Sequence, residues 1–483
     1  MHFNDITIKS FHDSLKNGEF KAFEVVRELF DKIKKEDVKI HSFLTLLEEE
    51  AVEQAERVDL DLASGKDISI LSGVPLAIKD NMLIEGSRAT AGSRILENYV
   101  SSYDATVVGK LKKEGAIFLG KTNMDEFAMG SSTENSAFGV TRNPYDPERV
   151  PGGSSGGSAA AIAANFALGA FGSDTGGSIR EPAAFCGVVG FKPTYGSVSR
   201  FGLIAMASSL DQIGPFAKTV EDAEILFDAI RGVDPFDATS VKKDFFPEND
   251  LKKIKELRIG LPKEYFIDGL SADVKNGVEE AIAKLKTLGF KFKEISLPHT
   301  KYALSVYYII MPAEVSANLA RFDGIRYDRI KDISKSKNGR SMLQEIYFKN
   351  RGERFGAEVR RRILLGAFVL SAGYYDAYYA KAQKVRRLVR NDFDEAFKKV
   401  DVILTPVTAT SAFKIGEKAD DPLAMYLSDI FTIPVNLAGL PGISIPVKKY
   451  EIGGKELPVG FQLIGKHFRE ADIFGIGKQY EKI

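Results

Sequence analysis

The sequence predicts an α/β fold, with one layered α/β/α core that carries helical additions. From Leu71 to about Gly214, short apolar segments typical of strands alternate with helices rich in small residues. Three more strand-like segments follow residue 400, which indicates that the chain returns to the same core. No internal repeat or long low-complexity linker marks a second domain within the 483 residues. We therefore predict a single domain.

Four zones are predicted along this domain. They are an N-terminal helical arm at about residues 1–65, a core at about 66–215, helical additions at about 216–400, and returning strands at about 401–483. The arm is expected to serve for packing and to be mobile at its start.

Each zone contains recognisable elements. Amphipathic helices are predicted from about Phe20 to Ala63, where Val25, Leu29 and Ile33 recur at helical spacing. In the core, LSGVPLAIKDN and AIFLGKTN are predicted as strands followed by loops, and GSAAAIAANFALGA as a buried helix. The charged helical zone has one candidate strand, LRIGLP, and the returning strands are DVILTPV, GISIPV and PVGFQLIG.

Composition restricts the function classes. Lys+Arg and Asp+Glu both number 66, so no overall basic field is available to hold a nucleic acid. The single cysteine, Cys186, excludes an internal disulfide and fits a reducing compartment. The first twenty residues resemble neither a signal nor a transit peptide, and the longest apolar run, Ala159 to Phe171, is too short to span a bilayer. We predict a soluble cytoplasmic protein, and no Cys/His cluster suggests a metal site.

One segment, Gly115 to Thr122, matches the phosphate-loop pattern G-x-x-x-x-G-K-[ST] letter for letter. A phosphate loop needs small, flexible residues between its glycines. Here Ala116 to Leu119 is apolar and typical of a buried strand, so we expect a core strand that ends in a polar loop. The alternative, an NTPase that depends on Lys121, is disfavoured.

Two Gly-Ser clusters carry the strongest chemical signal, PGGSSGGS from Pro151 and GSDTGGSIR from Gly172. Each leads directly into an apolar segment, which flexible linkers do not normally do. Glycines let consecutive backbone N–H groups converge on one point, as an oxyanion hole requires. We therefore predict a serine nucleophile in this region, with an oxyanion hole at Thr175, Gly176 and Gly177.

A serine nucleophile needs a base, and histidine is the usual one. None of the five histidines, at positions 2, 12, 41, 299 and 467, lies in the core zone. Lys79 is the better candidate because it follows an apolar strand, where burial can lower a lysine pKa by about 3 to 5. The alternative is a solvated lysine, or one paired with Asp80.

These motifs resemble those of the amidase signature family over nearly the whole chain. The resemblance implies a Ser-cis-Ser-Lys triad, with Lys79 in GVPLAIKDN, the bridging Ser154 in PGGSSGGS and the nucleophile Ser178 in SDTGGSIR. It also implies a cis peptide between Gly153 and Ser154, and a central mixed β-sheet covered by helices on both faces.

Within that family, further segments resemble the glutamine-hydrolysing subunits of tRNA-dependent amidotransferases, namely NMDEFAMGSSTENSAFG, FKPTYGSVSRFGL, SLDQIGP, GYYDAYY and TIPVNLAGLPGIS. The resemblance implies that glutamine is hydrolysed to glutamate and that the ammonia passes to a partner, the B subunit, which amidates Glu-tRNA(Gln) and possibly Asp-tRNA(Asn). It implies a heterotrimer with the B and C subunits, with most tRNA contacts, ATP and magnesium at the partner and no cofactor in this chain. A free-standing amidase that acts on another carboxamide is the alternative.

The resemblance also implies two substrate-binding residues. Arg362 in VRRRILLG corresponds to an arginine that binds the glutamine α-carboxylate, and Asp429 in MYLSDIFTIP to an acid that receives the α-amino group. The choice of Arg362 over Arg360 and Arg361 depends on the resemblance alone. Glu181 departs from the family pattern, in which glutamine is expected, so the pH response of the site is left open.

Overall fold

The centre of the molecule is a mixed sheet of eleven strands. The computed structural model describes residues 6–242, 251–266, 269–327 and 341–482. The strands are β1 Phe43–Leu46, β2 Pro75–Lys79, β3 Ile117–Thr122, β4 Gly169–Asp174, β5 Val189–Lys192, β6 Gln212–Ala217, β7 Arg258–Pro262, β8 Lys291–Ile295, β9 Val402–Pro406, β10 Gly442–Ile452 and β11 Lys455–Gly465. Their spatial order is β1-β3-β2-β4-β6-β5-β10-β11-β9-β7-β8.

The sheet combines parallel and antiparallel pairs. Strand β2 lies parallel to both of its neighbours, β3 and β4, while β7 lies parallel to β8 and β9. The remaining neighbours run antiparallel. Because β2 and β4 are parallel, their carboxyl ends meet at one edge of the sheet, where reactive side chains are commonly placed in α/β proteins.

Helices surround this sheet. They are α1 Ile8–Lys16, α2 Ala22–Glu36, α3 Glu48–Ala63, α4 Thr106–Lys113, α5 Gly156–Ala163, α6 Arg180–Cys186, α7 Val220–Ile230, α8 Leu251–Ile254, α9 Ala272–Thr287, α10 Ala303–Asn318, α11 Met342–Arg354, α12 Ala357–Val369, α13 Lys381–Ala396, α14 Pro422–Tyr426, α15 Ile433–Ala438 and α16 Glu470–Glu481. A π-helical turn, Asp376–Ala380, precedes α13. The arrangement confirms the predicted α/β fold with a central mixed sheet. No described helix has both the length and the hydrophobicity needed to cross a bilayer.

The predicted strands are all present, and the phosphate-loop match is one of them. Residues Ile117–Thr122 form the buried strand β3. The amine of Lys121 lies 3.3 Å from a carboxylate oxygen of Asp80 and donates to the carbonyl of Arg88 at 3.1 Å. Lys121 is therefore neutralised inside the core, which agrees with the core-strand prediction.

The predicted buried helix is shorter than expected. Helix α5 ends at Ala163, and Gly169 and Ala170, which the prediction placed in the helix, belong to strand β4. Asn165 takes the left-handed conformation at φ 57°, which ends the helical path. Pairing of β4 with β2 and β6 places this small-residue segment in the sheet despite its helix-like composition.

The N-terminal arm also differs from the prediction. Strand β1 lies within it and forms the edge of the sheet beside β3, so this zone extends the sheet as well as packing on it. His12, expected in a mobile segment, is buried in helix α1. The Ile8 N–H at the start of α1 donates to the Asp222 carboxylate at 2.9 Å, which anchors the helix to the core. His2 lies outside the described residues.

Candidate active site

Lys79 is the last residue of β2 and is fully buried. Its Nζ lies 2.8 Å from Ser154 Oγ, 2.7 Å from Ser155 Oγ and 3.0 Å from Ser173 Oγ. Ser173 is near the carboxyl end of β4, so the parallel pairing of β2 and β4 explains this contact. The solvated alternative for Lys79 is wrong, and so is pairing with Asp80, which pairs with Lys121 instead.

The surroundings of Lys79 favour the neutral amine. Burial lowers its pKa from 10.5 to about 7, although the more distant carboxylates of Asp125, Asp174 and Asp211 oppose the shift. A neutral amine has one lone pair that accepts a proton. Lys79 is therefore able to act as a base near neutral pH.

Ser154 follows the cis peptide bond Gly153–Ser154, as the resemblance implies. Gly153 is required here because a Cβ at that position would overlap the Asp125 carboxylate and the Ser132 and Thr133 N–H groups. The Asp125 carboxylate accepts hydrogen bonds from the N–H groups of Thr133 and Asn135 at 2.9 and 3.0 Å. This network fixes the loop before α5 and thereby the position of the Ser154 hydroxyl.

Ser178 lies beside this pair in the loop between β4 and α6. Its carbonyl accepts a hydrogen bond from the Ser155 N–H at 3.3 Å, and the residue is 7% exposed. Within the described residues, the Ser178 hydroxyl makes no hydrogen bond. The Lys79–Ser154 link of the predicted triad is thus formed, whereas a hydrogen bond between Ser154 and Ser178 is not. Catalytic hydrogen bonds often form only in the substrate complex.

The backbone before Ser178 presents unused donors. In the described part of the chain, the N–H groups of Gly176, Gly177 and Ser178 donate to no hydrogen bond. A Cβ on Gly176 would lie 2.8 Å from the Tyr307 hydroxyl, and Gly177 has φ 154°. Only glycine fits both positions, and free N–H groups in such a loop suit a developing oxyanion.

A buried ion pair holds both ends of this loop. Arg180 donates to the Asp174 carboxylate from Nε at 3.0 Å and from Nη2 at 3.1 Å. The same guanidinium donates to the side-chain oxygens of Asn436 and Gln462. The two ends of the loop at residues 175–179 are therefore held together, and the loop is linked to the C-terminal part of the chain.

Thr175 has a further partner on the other side of the loop. Its hydroxyl donates to Asp211 at 2.8 Å, and that carboxylate also accepts the N–H groups of Met206 and Ala207. Burial raises the pKa of Asp211 to about 6. The β4–α6 loop therefore has support from two separate segments.

The arginine triplet of α12 divides between surface and interior. Arg360 and Arg361 are exposed, whereas Arg362 is buried at 3% exposure. Its Nε donates to Glu358 at 2.7 Å, and its guanidinium lies 5.5 Å from the Tyr308 ring centroid and 5.6 Å from that of Tyr426. Of the three, only Arg362 faces the interior of the protein.

Asp429 and Glu181 are two buried acids near the β4–α6 loop. Ser131 donates to Asp429 Oδ2 at 2.5 Å, and Gly153 N–H donates to Glu181 Oε2 at 3.1 Å. The remaining oxygens, Asp429 Oδ1 and Glu181 Oε1, are buried without a hydrogen-bond partner among the described residues. Burial raises the pKa of Asp429 to about 7, and burial together with Asp429 raises that of Glu181 well above its usual range.

Histidines do not contribute to this arrangement. Among the described residues, no histidine hydrogen-bonds to Ser154 or Ser178. His299 pairs with Asp392 at 2.8 Å, and His467 lies 2.9 Å from the Ala438 carbonyl. Nor do the described residues contain a group of three or more His, Cys, Asp or Glu side chains placed to hold a metal ion.

Several residues of the site were not predicted. Ser155 and Ser173 contact Lys79 and stand inside the two Gly-Ser clusters, so their composition could have indicated them. Asp125 and Asp211 support the two loops, but nothing in the local sequence distinguishes them from surface acids. Tyr307, beside Gly176, comes from a distant helix and carries no sequence signal.

Comparison with known proteins agrees with this geometry. A profile of the amidase family matches residues 24–474. The chain belongs to the amidase family. This amidase is 57% identical to a protein of Carboxydothermus hydrogenoformans named as the A subunit of glutamyl-tRNA(Gln) amidotransferase, over 99% of this chain and 97% of the relative. A protein of the same name from Heliobacterium modesticaldum is 55% identical, over 99% and 96%.

A solved structure extends the comparison. The crystal structure of the glutamyl-tRNA(Gln) amidotransferase A subunit from Thermotoga maritima superposes on this amidase with a TM-score of 0.80 at 44% identity, and the match covers 100% of this chain and 95% of that one. The resemblance inferred from the motifs is confirmed at the level of the family. The individual site residues stay predictions, because these comparisons do not test them.

Proposed function

We propose that this amidase is the glutamine-hydrolysing subunit of a tRNA-dependent amidotransferase. The observation that carries the proposal is the fully buried amine of Lys79, 2.8 Å from Ser154 Oγ and close to the loop that carries Ser178. The full-length similarity to proteins named as the A subunit of glutamyl-tRNA(Gln) amidotransferase supports glutamine as the substrate and favours this function over a free-standing amidase.

The proposed reaction begins with proton transfer. Neutral Lys79 accepts a proton from the Ser154 hydroxyl, and Ser154 accepts one from Ser178 as the Ser178 oxygen attacks the side-chain amide carbon of glutamine. The negative charge on the amide oxygen is stabilised by N–H groups of the Thr175, Gly176 and Gly177 segment. The relay then returns a proton to the departing nitrogen, which leaves as ammonia.

A second half-reaction regenerates the serine. The glutamyl group is held as an ester on Ser178, and water attacks its carbonyl while the same relay removes the proton. The C–O bond to Ser178 breaks, glutamate is released, and Ser178 regains its proton. Only glutamine and water are consumed, and Lys79, Ser154 and Ser178 return to their starting states.

Substrate orientation is assigned to two charged side chains. Arg362 is proposed to bind the α-carboxylate of glutamine, because it is the one buried guanidinium of its triplet. Its Nε donates to Glu358 and its Nη1 contacts the Met311 sulfur, whereas Nη2 makes no hydrogen bond within the described residues. Asp429 is proposed to receive the α-amino group through Oδ1, which is buried and unpartnered among those residues. Binding of an ammonium there would favour the ionised carboxylate.

The proposal includes partners. Ammonia produced at Ser178 passes to the B subunit of the assembly, which amidates Glu-tRNA(Gln) and possibly Asp-tRNA(Asn), and the C subunit completes the heterotrimer in the cytoplasm. The B subunit is proposed to make most tRNA contacts and to use ATP and magnesium, with no cofactor in this chain. The names of the relatives support membership of such an assembly.

The decisive experiment compares three serines of the candidate active site. Glutamate release from glutamine is measured with and without the partner subunits. Ser178→Ala and Ser154→Ala should reduce it to background with an unchanged circular dichroism spectrum. Ser155→Ala is the matched control, because Ser155 contacts Lys79 at 2.7 Å but lies outside the relay, and it should retain measurable turnover. Full turnover by Ser178→Ala would contradict the proposal, and hydrolysis of an aryl amide but not glutamine would favour the free-standing amidase.

A further inference from the structure

A cavity lies outside the candidate active site and contains none of its residues. It has a volume of about 490 Å³ and lies between helix α13 and the turn that follows α15. Its lining includes Arg386, Arg387, Arg390 and His467, with Tyr195 and Phe468 as aromatic walls. We refer to it as the arginine cavity. Its size is within the range of small-molecule sites.

The lining of the arginine cavity carries an excess of positive charge. It contains three guanidinium groups on one helix and no carboxylate among the described residues. Arg387 makes no hydrogen bond or ion pair within that described part of the chain. Arg390 has only a long contact with Asp394, at 3.9 Å between exposed side chains, which contributes little. Two guanidinium groups at the cavity thus keep most of their donors available.

The third guanidinium is fixed by the protein. Arg386 donates from Nε to the Leu437 carbonyl at 2.9 Å, from Nη1 to Ser209 Oγ at 2.9 Å and from Nη2 to the Ser209 carbonyl at 3.0 Å. None of these acceptors is an anion, so its charge is not neutralised by them. Glu314, which accepts from the Ser209 N–H and hydroxyl, is the nearby acid on the protein side.

The pKa of His467 is lowered in part by the positive charge around the arginine cavity. Its Nε2 lies 2.9 Å from the Ala438 carbonyl, which can only accept, so Nε2 carries the hydrogen. Burial lowers the pKa of His467, and Arg390 and the buried Lys192 lower it further, while Asp394 and the bond to Ala438 oppose them. A second proton on this ring is therefore unfavourable unless an anion enters the cavity.

We propose that the arginine cavity binds a small anion with two linked phosphate groups. Arg387 and Arg390 are three residues apart on one helix, about 4.5 Å along the axis, so their available donors address two anionic centres better than a single carboxylate. Guanidinium groups bind phosphate oxygens in bidentate geometry. The Tyr195 and Phe468 rings provide apolar walls for an organic group attached to the diphosphate. This site goes beyond the proposed glutamine hydrolysis and does not depend on it.

The test uses inorganic pyrophosphate and the full chain. Isothermal titration calorimetry at constant ionic strength should show saturable binding to the wild type, at least about tenfold tighter than inorganic phosphate. Arg387→Gln combined with Arg390→Gln should weaken it at least about tenfold, equal to about 1.4 kcal/mol. Lys381→Gln combined with Lys384→Gln is the matched control, because it removes two charges from the same helix outside the cavity lining, and its affinity should stay within about twofold of the wild type.

A spectroscopic measurement locates the binding. Pyrophosphate should raise the pKa of His467, followed by NMR of the imidazole, and should leave the imidazole NMR signals of His41 and His299 unperturbed. Absence of saturable binding, equal weakening by the control variant, or a His467 titration unaffected by pyrophosphate would each overturn the proposal. Unchanged thermal unfolding of both double variants shows that lost binding is not lost folding.

Discussion

At the scale of single residues, the site depends on polar groups placed where water cannot reach them. Lys79 is fully buried, and its three closest partners are neutral serine hydroxyls rather than a carboxylate. An ion pair would stabilise the ammonium and remove the neutral amine at neutral pH, whereas a hydroxyl can either accept from the amine or donate to it. A lysine base therefore requires neutral neighbours such as these serines, because acidic neighbours would keep the amine protonated.

We expect the pH profile of glutaminase activity to follow the pKa of Lys79. Since burial lowers that pKa to about 7, the neutral amine is lost below it, and kcat/KM should fall about tenfold for each pH unit below that value. Lys79→Met, which has nearly the same shape, should abolish activity at every pH. A profile that stays flat from pH 8 to pH 5 would contradict the assignment of the base.

Lys79→Met, although inactive, should increase the free energy of unfolding. The unfolded chain binds a proton at Lys79 up to about pH 10.5, whereas the folded chain releases it near 7, so the free energy of unfolding of the wild type rises with pH in this window. The free energy of unfolding of Lys79→Met should therefore exceed that of the wild type by about 1–2 kcal/mol at pH 7, and by less at pH 9.5. Urea denaturation at the two pH values measures this difference.

Glu181 is expected to act as a neutral hydrogen-bond acceptor. Burial and Asp429 raise its pKa well above the usual range, which favours the protonated carboxyl, and Oε2 accepts from Gly153 N–H. Glu181→Gln should keep activity within about threefold at pH 7, because a carboxamide preserves that acceptor. Glu181→Ala should lose about 1–3 kcal/mol of unfolding free energy by leaving the buried N–H unpaired.

The pH dependence separates this role from a charged one. The folded state holds the Glu181 proton more tightly than the unfolded state, so it contributes stability at low pH that is lost as pH rises. Glu181→Gln lacks that slope, and its stability should exceed that of the wild type increasingly toward alkaline pH. An inactive but folded Gln variant would show instead that the negative charge is needed.

Residue-level prediction was possible where chemistry and local sequence coincide, although the catalytic roles stay predictions. Lys79, Ser154 and Ser178 stand in Gly-Ser clusters or at a strand end, and the structure brings the amine of the first to the hydroxyl of the second. The supporting acids were missed because carboxylates are common on surfaces, and only the fold shows that Asp125 and Asp211 are buried.

At the scale of elements, the crossing of α10 and α12 positions Arg362. The helices approach so closely at Gly366 that a Cβ there would overlap the Pro312 carbonyl, and Ser316 Cβ lies 2.8 Å from the same point. Gly366 is one turn beyond Arg362 on α12. Any separation of the two helices would consequently move the guanidinium.

Gly366→Ala should destabilise the protein by about 1–3 kcal/mol and raise the KM for glutamine more than it lowers kcat. Gly352→Ala in α11 is the matched control, because nothing lies within 4 Å of a Cβ there, and it should stabilise the helix by about 0.5–1 kcal/mol. Denaturant unfolding and steady-state kinetics measure both variants. Equal effects of the two substitutions would disprove the importance of this crossing.

Elements were predicted well where pattern and environment agree. Strand β3 begins with three apolar residues and is buried as predicted. The end of α5 and the start of β4 could not be separated by composition, because small residues suit a buried helix and a tightly packed strand alike. Strand β8, with the exposed sequence KFKEI, lies at the sheet edge and has few apolar residues to mark it.

At the scale of the whole molecule, one continuous sheet connects segments that are far apart in sequence. Strand β10 pairs with β5, so the returning strands join the strands of the core zone directly. The Arg180 guanidinium adds a polar connection from α6 to Asn436 and Gln462. These long-range pairings were foreseen only in outline, since local sequence indicates a strand but not its neighbours.

The hydrogen bonds around Lys79 all come from residues 154–173, whereas Arg362 and Asp429 enter from much later in the chain. The residues proposed to react and those proposed to bind the substrate are thus encoded in separate stretches of the chain. Substitutions in the later stretch alone could therefore change which amide is bound, while Lys79, Ser154 and Ser178 stay as they are. Exchange of that stretch between related amidases is a way to change substrate specificity while the nucleophile is kept.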